Sequence, residues 1–213
     1  ESRHVEFGFV KLPDGAMSTR AGTAVSLESV LDEAVSRARK VIEEKNPDLE
    51  NKELVAEMVG LGALKYFDLS HNRRSDIVFR WDEALSFEGN AGPYLQYTHA
   101  RLKSILRKAN LQPPTCDLLQ GTVAIDHLEH RLLATVLRFP ETIEDALAEF
   151  FPNILADYLY KLASLANEFY HSHPVAQEPE ESKQRLRAAL VSGAALTIAK
   201  GLSLLGIAAP EKM

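Results

Sequence analysis

Two stretches of this chain concentrate side chains that can do chemistry. The first is Met17-Ser18-Thr19-Arg20, enclosed by Gly15 and Gly22 and set between a strand-like run and a helix-like run. Two hydroxyls, one guanidinium and a glycine-bounded backbone can fold over a phosphate chain, with Arg20 neutralising the charge that builds in a phosphoryl or adenylyl transfer. On spacing alone, a plain surface turn uses the same residues. The second stretch runs from Gly89 to Leu102. Gly89, Asn90, Gly92 and Pro93 punctuate the start of a helix whose first turns carry Tyr94, Gln96, Tyr97, His99 and Arg101. Aromatic faces stack on flat ligands, and amide or guanidinium groups read their edges. The plainer option is that Tyr94, Tyr97 and Leu102 are core and His99 is a satisfied packing residue.

The elements that must position these groups follow from the pattern. Val5 to Val10 is β-rich and Pro13-Asp14-Gly15 ends it, giving the edge of a sheet whose other strands lie elsewhere. Ser26 caps a helix in which Leu27, Val30, Leu31, Ala34, Val35, Ala38, Val41 and Ile42 repeat at helical spacing, and Asn46-Pro47 stops it. A second helix spans about Lys52 to Asp68, with Gly60 and Gly62 permitting a close helix contact. Ile77 to Phe79 reads as extended and Trp81 to Leu85 as a short helical turn. From Pro93 onward every periodic segment is helical: to about Ala109, then Ile125–Leu137, Pro140–Phe150, Asn153–His171 and Lys183–Leu205, closed by Gly206. Pro174 to Ser182, polar and acidic without apolar periodicity, reads as a mobile loop. The expected fold is mainly α, a short α/β part (1–88) followed by an all-α helical bundle (89–213).

Composition narrows the function. The chain has 213 residues, 46% of them hydrophobic and 25% charged, with a net charge of -6, so any nucleic-acid contact must rest on a local patch or on stacking. Arg101, Lys103, Arg107 and Lys108 form one basic cluster, and Lys183, Arg185 and Arg187 another. His71, Arg73 and Arg74 form a third, with Asp68 and Asp76 at hand to pair with them. Cys116 is the only cysteine, which excludes a disulfide framework and fits a reducing cytoplasm. His127 and His130 lie on a different element from His171 and His173, so no metal site is expected. No apolar run approaches the ~20 residues of a membrane span. The start at Glu1, directly before a strand pattern, suggests a piece of a longer protein.

Residues 15 to 22, Gly-Ala-Met-Ser-Thr-Arg-Ala-Gly, resemble the mobile signature loop of class I aminoacyl-tRNA synthetases in the variant form of bacterial arginyl-tRNA synthetases. Asp76 to Leu102 resembles that family's passage from catalytic core to anticodon-binding domain, and Leu204 to Met213 is similar to its C-terminus. The resemblance covers essentially the whole chain. It implies the end of a class I catalytic domain, a connecting helical region and an all-α anticodon-binding domain. The family's other ATP motif, of the H-x-G-H type, has no counterpart here, nor does the arginine pocket.

By this resemblance Met17, Ser18, Thr19 and Arg20 serve adenylate formation with ATP and Mg2+ in the full-length enzyme, while the fragment alone binds neither and does not catalyse. Class I loops usually begin with lysine, and Ala16 stands there instead. Tyr94, Gln96, Tyr97, His99, Arg101, Lys108, Tyr170 and Met213 become tRNA-binding candidates, since stacking an unpaired base on an aromatic ring is worth about 1 to 3 kcal/mol. The implied partners are tRNA for arginine, with arginine and ATP in the full-length enzyme. A monomeric cytoplasmic protein with no membrane contact is expected. A non-catalytic helical interaction module, and the same portion of a synthetase for another amino acid, are the alternatives.

Overall fold

The computed structural model describes residues 2–13, 26–109 and 123–213; Met17, Ser18, Thr19, Arg20 and Cys116 lie outside them. Helical periodicity becomes eight helices among the described residues. Helix α1 (Leu27–Lys45) starts where the Ser26 hydroxyl accepts the Ser29 amide, as its sequence predicts, and ends at Asn46. Helix α2 (Lys52–Leu69) turns back against it. The two backbones meet at Gly60, where a Cβ would stand 2.7 Å from the Val35 nitrogen, so only glycine admits the crossing. Ala38, Ile42, Val55, Ala56 and Val59 fill the space between them.

Strands β1 (Val10–Lys11) and β2 (Ile77–Val78) form a two-stranded parallel sheet with Val10 opposite Ile77. Beneath it Phe67, Ile77, Phe79 and Ala84 make a small core with Trp81, the first residue of α3 (Trp81–Ala84). The ladder is shorter than the β-rich run from Val5. Arg73 O accepts the Gly8 amide and the Asp76 carboxylate accepts the Phe9 amide, so regular pairing begins only at Val10. Phe7 and Phe9 remain 85% and 76% exposed.

The bundle comprises α4 (Gly92–Lys108), α5 (His127–Leu137), α6 (Phe139–Glu149), α7 (Pro152–Ser172) and α8 (Glu181–Leu204). Its core runs along α7 and α8, with Leu159, Leu162 and Phe169 beside Val191, Ile198 and Leu202, and takes in Leu95 and Leu102 of α4. Tyr66 of α2 joins this core. Its hydroxyl lies 2.6 Å from Asn90 Oδ1 and 3.0 Å from the Ala156 carbonyl, and burial raises its pKa, helped by Asp157 and Tyr160. One residue therefore ties α2, the turn before α4 and α7.

Two expectations change. Helix α5 begins at His127 because Asp126 and Glu129 form a capping box, each side chain accepting the other's amide. Of the segment 174–182, expected as a mobile loop, the last two residues begin α8 and the rest is fastened to that helix. Val175 is buried, Arg187 donates to the Pro174 carbonyl at 2.9 Å and pairs with Glu178 at 2.5 Å, and Gln184 donates to Ala176 at 3.1 Å. Among the described residues no helix is long and apolar enough to cross a membrane.

Candidate functional site

Helix α4 is opened by Pro93 in its first turn, where the missing amide costs nothing, and it carries different chemistry on its two sides. Leu95, Gln96, Thr98, His99 and Leu102 face the interior, while Tyr97, Arg101 and Lys108 face outward at spacings of four and seven residues. The Arg101 guanidinium lies 4.7 Å from the centre of the Tyr97 ring and donates to the Tyr97 hydroxyl at 3.1 Å and to Asn167 Oδ1 at 3.0 Å. Asn167 in turn donates to the Tyr94 hydroxyl and to Thr98 Oγ1, both at 3.0 Å. The oxygens that fix Arg101 are neutral, so its charge stays uncompensated by them.

Around this network lies an open groove of ≈ 620 Å³ whose wall includes Asn46, Tyr97, Arg101, Arg107, Lys108, Tyr170, Lys212 and Met213. A neighbouring recess of ≈ 540 Å³ shares Asn46, Tyr97, Arg101 and Met213 and adds Lys45, Phe87, Tyr94, Asn167 and His171. Tyr97 and Tyr170 are 37% and 40% exposed, enough for one ring face each to receive a base. Lys108 has no ion-pair partner among the described residues. Acidic Asp48 and Glu50 sit at the rim, and Lys212 stands 3.8 Å from Glu50. Aromatic faces, fixed guanidinium and ammonium groups and an open trough suit a single-stranded nucleic acid.

The segment after α8 forms one side of the groove, bound residue by residue. Lys65 donates to the Gly206 carbonyl at 2.6 Å, Gln96 to Ala208 at 2.7 Å and Arg107 to Glu211 at 3.1 Å. His99 Nδ1 meets the Pro210 carbonyl at 3.0 Å, Lys103 pairs with the Glu211 carboxylate at 2.9 Å, and Asn46 donates to the Met213 carbonyl at 3.2 Å. Burial pushes the His99 pKa down against the opposing pull of the Pro210 carbonyl, and Lys103 and Arg107 add to the fall. The ring is therefore neutral near pH 7, with its Nδ1 hydrogen donated to Pro210.

Of the tRNA-binding candidates, Tyr97, Arg101, Lys108, Tyr170 and Met213 come together on the groove, and half-buried Tyr94 faces the adjoining recess. Gln96 and His99 do not. Both are interior, and their hydrogen bonds go to backbone carbonyls, which corrects their assignment as direct contacts. Met17, Ser18, Thr19 and Arg20 lie outside the described residues. Sequence reasoning missed Asn46, named only as a helix stop, and Asn167, whose signal was a polar residue inside the apolar run of α7.

The other basic clusters are occupied. Lys183 and Arg187 hold the fully buried Glu129 at 2.6 and 3.0 Å. Arg73 donates to the carbonyls of Glu6, Glu149 and Phe150, and Arg74 pairs with Glu6 rather than with Asp68 or Asp76. Asp126, Glu129 and His173 place three possible ligand atoms within 4.8 Å of one another. A metal there would compete with the two cations already on Glu129, so the trio is an ion-paired helix cap. Burial raises the Asp126 pKa, but the Glu129 amide, the His173 ring and the Leu128 amide together outweigh it and hold the carboxyl at about 2.

Comparison with known proteins bears on this geometry. Residues 95–213 match the model of the DALR anticodon binding domain, and residues 1–81 that of the catalytic domain of class I (R) tRNA synthetases. Among curated proteins, the arginine–tRNA ligase of Alkaliphilus metalliredigens is 45% identical over 210 residues, covering 99% of this chain and 37% of that protein. The arginine–tRNA ligase of Fusobacterium nucleatum is 43% identical over 216 residues, covering 100% and 38%. Among solved structures, the Thermus thermophilus arginyl-tRNA synthetase superposes with a TM-score of 0.88 at 43% identity, over 99% of this chain and 35% of that one. The Plasmodium falciparum arginyl-tRNA synthetase gives 0.79 at 28% identity, over the same shares. The chain thus spans little more than a third of the relatives it matches.

Proposed function

Because this chain belongs to the arginyl-tRNA synthetase family, through its DALR anticodon-binding domain, we propose that the groove beside α4 holds the anticodon loop of tRNA for arginine. The observation that carries this is the convergence of Tyr97, Arg101, Lys108, Tyr170 and Met213, drawn from α4, the end of α7 and the terminal segment, on one trough. Loop bases stack on Tyr97 and Tyr170, while Arg101, Arg107 and Lys108 take phosphates or base edges. Within a longer arginine–tRNA ligase, residues 1–88 complete the catalytic domain and 89–213 read the tRNA. Met17, Ser18, Thr19 and Arg20 serve the ATP phosphates, with Mg2+, in the adenylate-forming step. We place that enzyme in the cytoplasm as a monomer. The 213-residue chain alone binds tRNA and does not aminoacylate it.

Filter-binding titration of the chain with tRNA for arginine, against a tRNA of different anticodon, tests the reading. At least tenfold tighter binding of the first is expected. Equal affinity would remove anticodon recognition from this groove.

A further inference from the structure

The strongest unassigned feature is the pair of interior polar residues on α4. Gln96 is fully enclosed, yet both hydrogens of its amide nitrogen are used across elements, one on Met58 O of α2 at 2.9 Å and one on Ala208 O at 2.7 Å. Its Oε1 finds no partner among the described residues, so the amide is oriented by its donors alone. The site is cut to fit it. A Cβ on Gly62 would stand 2.7 Å from Gln96 Nε2 and 3.1 Å from Ile207 Cγ2, so the small residue in α2 makes room for both the amide and the returning chain. One turn on, His99 repeats the arrangement with Pro210 O. A buried polar group without a role is costly, and apolar side chains of the same size would fill this seam.

We infer that Gln96 and His99 are positioning residues that lay segment 207–213 along α4 and thereby set Met213 as a wall of the groove. The two contacts fall on alternate residues of the segment, Ala208 and Pro210, and the Met213 carbonyl is then caught by Asn46 from the far side. The segment crosses from the bundle to the α1–α2 hairpin, so fixing it also fixes where the two walls of the groove meet. The consequence for RNA rests on the reading of the groove given above; the latch itself does not.

The test uses Gln96→Leu in the full 213-residue chain and in the chain shortened to end at Ile207. Backbone order parameters of residues 208–213 should fall from a rigid value of about 0.85 to below about 0.6 in Gln96→Leu while those within α7 and α8 are unchanged. Affinity for tRNA should fall roughly five- to tenfold, as expected when the Ala208 bond, the one of the two Gln96 bonds that holds the segment, is lost. In the shortened chain the same substitution should change affinity less than twofold, because a residue that acts through the segment has nothing left to act on. An equal loss in both backgrounds would show a general structural role and overturn the inference, as would unchanged order parameters of 208–213. If the unsubstituted chain binds no tRNA, the groove reading fails and the latch is judged on the order parameters alone.

Discussion

The groove beside α4 and the ion cluster between α5 and α8 start from similar sequence material and end as opposites. Each gathers lysines and arginines from one helix, Lys183 and Arg187 from α8 and Arg101, Arg107 and Lys108 from α4. In the cluster, Lys183 and Arg187 are nearly enclosed and converge on Glu129, a carboxylate with no exposed surface, and Glu178 completes the set. In the groove, Arg101 is held by an asparagine and a tyrosine hydroxyl, Lys108 faces the opening, and Tyr97 and Tyr170 keep part of their rings exposed. What separates the two is the counter-charge. A buried carboxylate turns cations into fold stabilisers, whereas neutral partners orient them and leave the charge available to a ligand.

Removing the counter-charge should break the comparison most strongly. Glu129→Ala leaves two poorly solvated cations opposed only by Glu178 and deletes half of the α5 capping box, so a loss of about 3 to 5 kcal/mol is expected by chemical denaturation. Affinity for tRNA, measured where the variant is still folded, should be unchanged. A loss below about 1 kcal/mol would mean that the cluster is not the clamp described here. On the other side, Tyr170→Ala should weaken tRNA binding by about 1 to 3 kcal/mol while shifting stability by less than about 1 kcal/mol, since the residue is 40% exposed and belongs to no core cluster. Unchanged binding would take Tyr170 out of the groove's function, and a stability loss comparable to that of Glu129→Ala would erase the distinction between the two regions.

The difference between these regions was only partly legible in the sequence, for physical reasons. Helices with strong apolar periodicity and recognisable ends were predictable almost to the residue: Ser26 before α1, Pro93 in the first turn of α4, Gly206 after α8. Tyr170 was picked out by the resemblance of its stretch to the arginyl-tRNA synthetase family. A packed His99 was the plainer of the options left open, but the burial of Gln96 and the partners of both were not legible, because helical spacing says which residues share a side but not what returns to cover it. Here the cover is a segment more than a hundred residues away in sequence. Glu129 likewise reads as an ordinary surface glutamate until Lys183 and Arg187 arrive from α8. The acidic segment 174–182 lacks periodicity, yet Val175 and Glu178 fasten it, since a loop can be fixed by two residues that no period reveals.

Acid should separate the two regions by a smaller effect and in different pH windows. His99 is neutral in the latched state, with its pKa depressed below the ordinary 6.5 chiefly by burial, and with Lys103 and Arg107 opposing protonation more than Glu211 favours it. A released His99 binds a proton near its ordinary pKa, so the latch contribution is complete above about pH 6.5 and is lost as pH falls toward the depressed value. The Asp126 and Glu129 carboxyls are held below their usual range, Asp126 at about 2, so the cluster keeps its contribution until pH falls below about 4. Between pH 7 and pH 5, the backbone order parameters of residues 208–213 should fall while those of α5 and α8 hold. His99→Gln, which keeps a donor without a titrating ring, should flatten the response of the segment. Parallel loss of order in both regions over that range would show that they are one cooperative unit rather than a latch and a clamp.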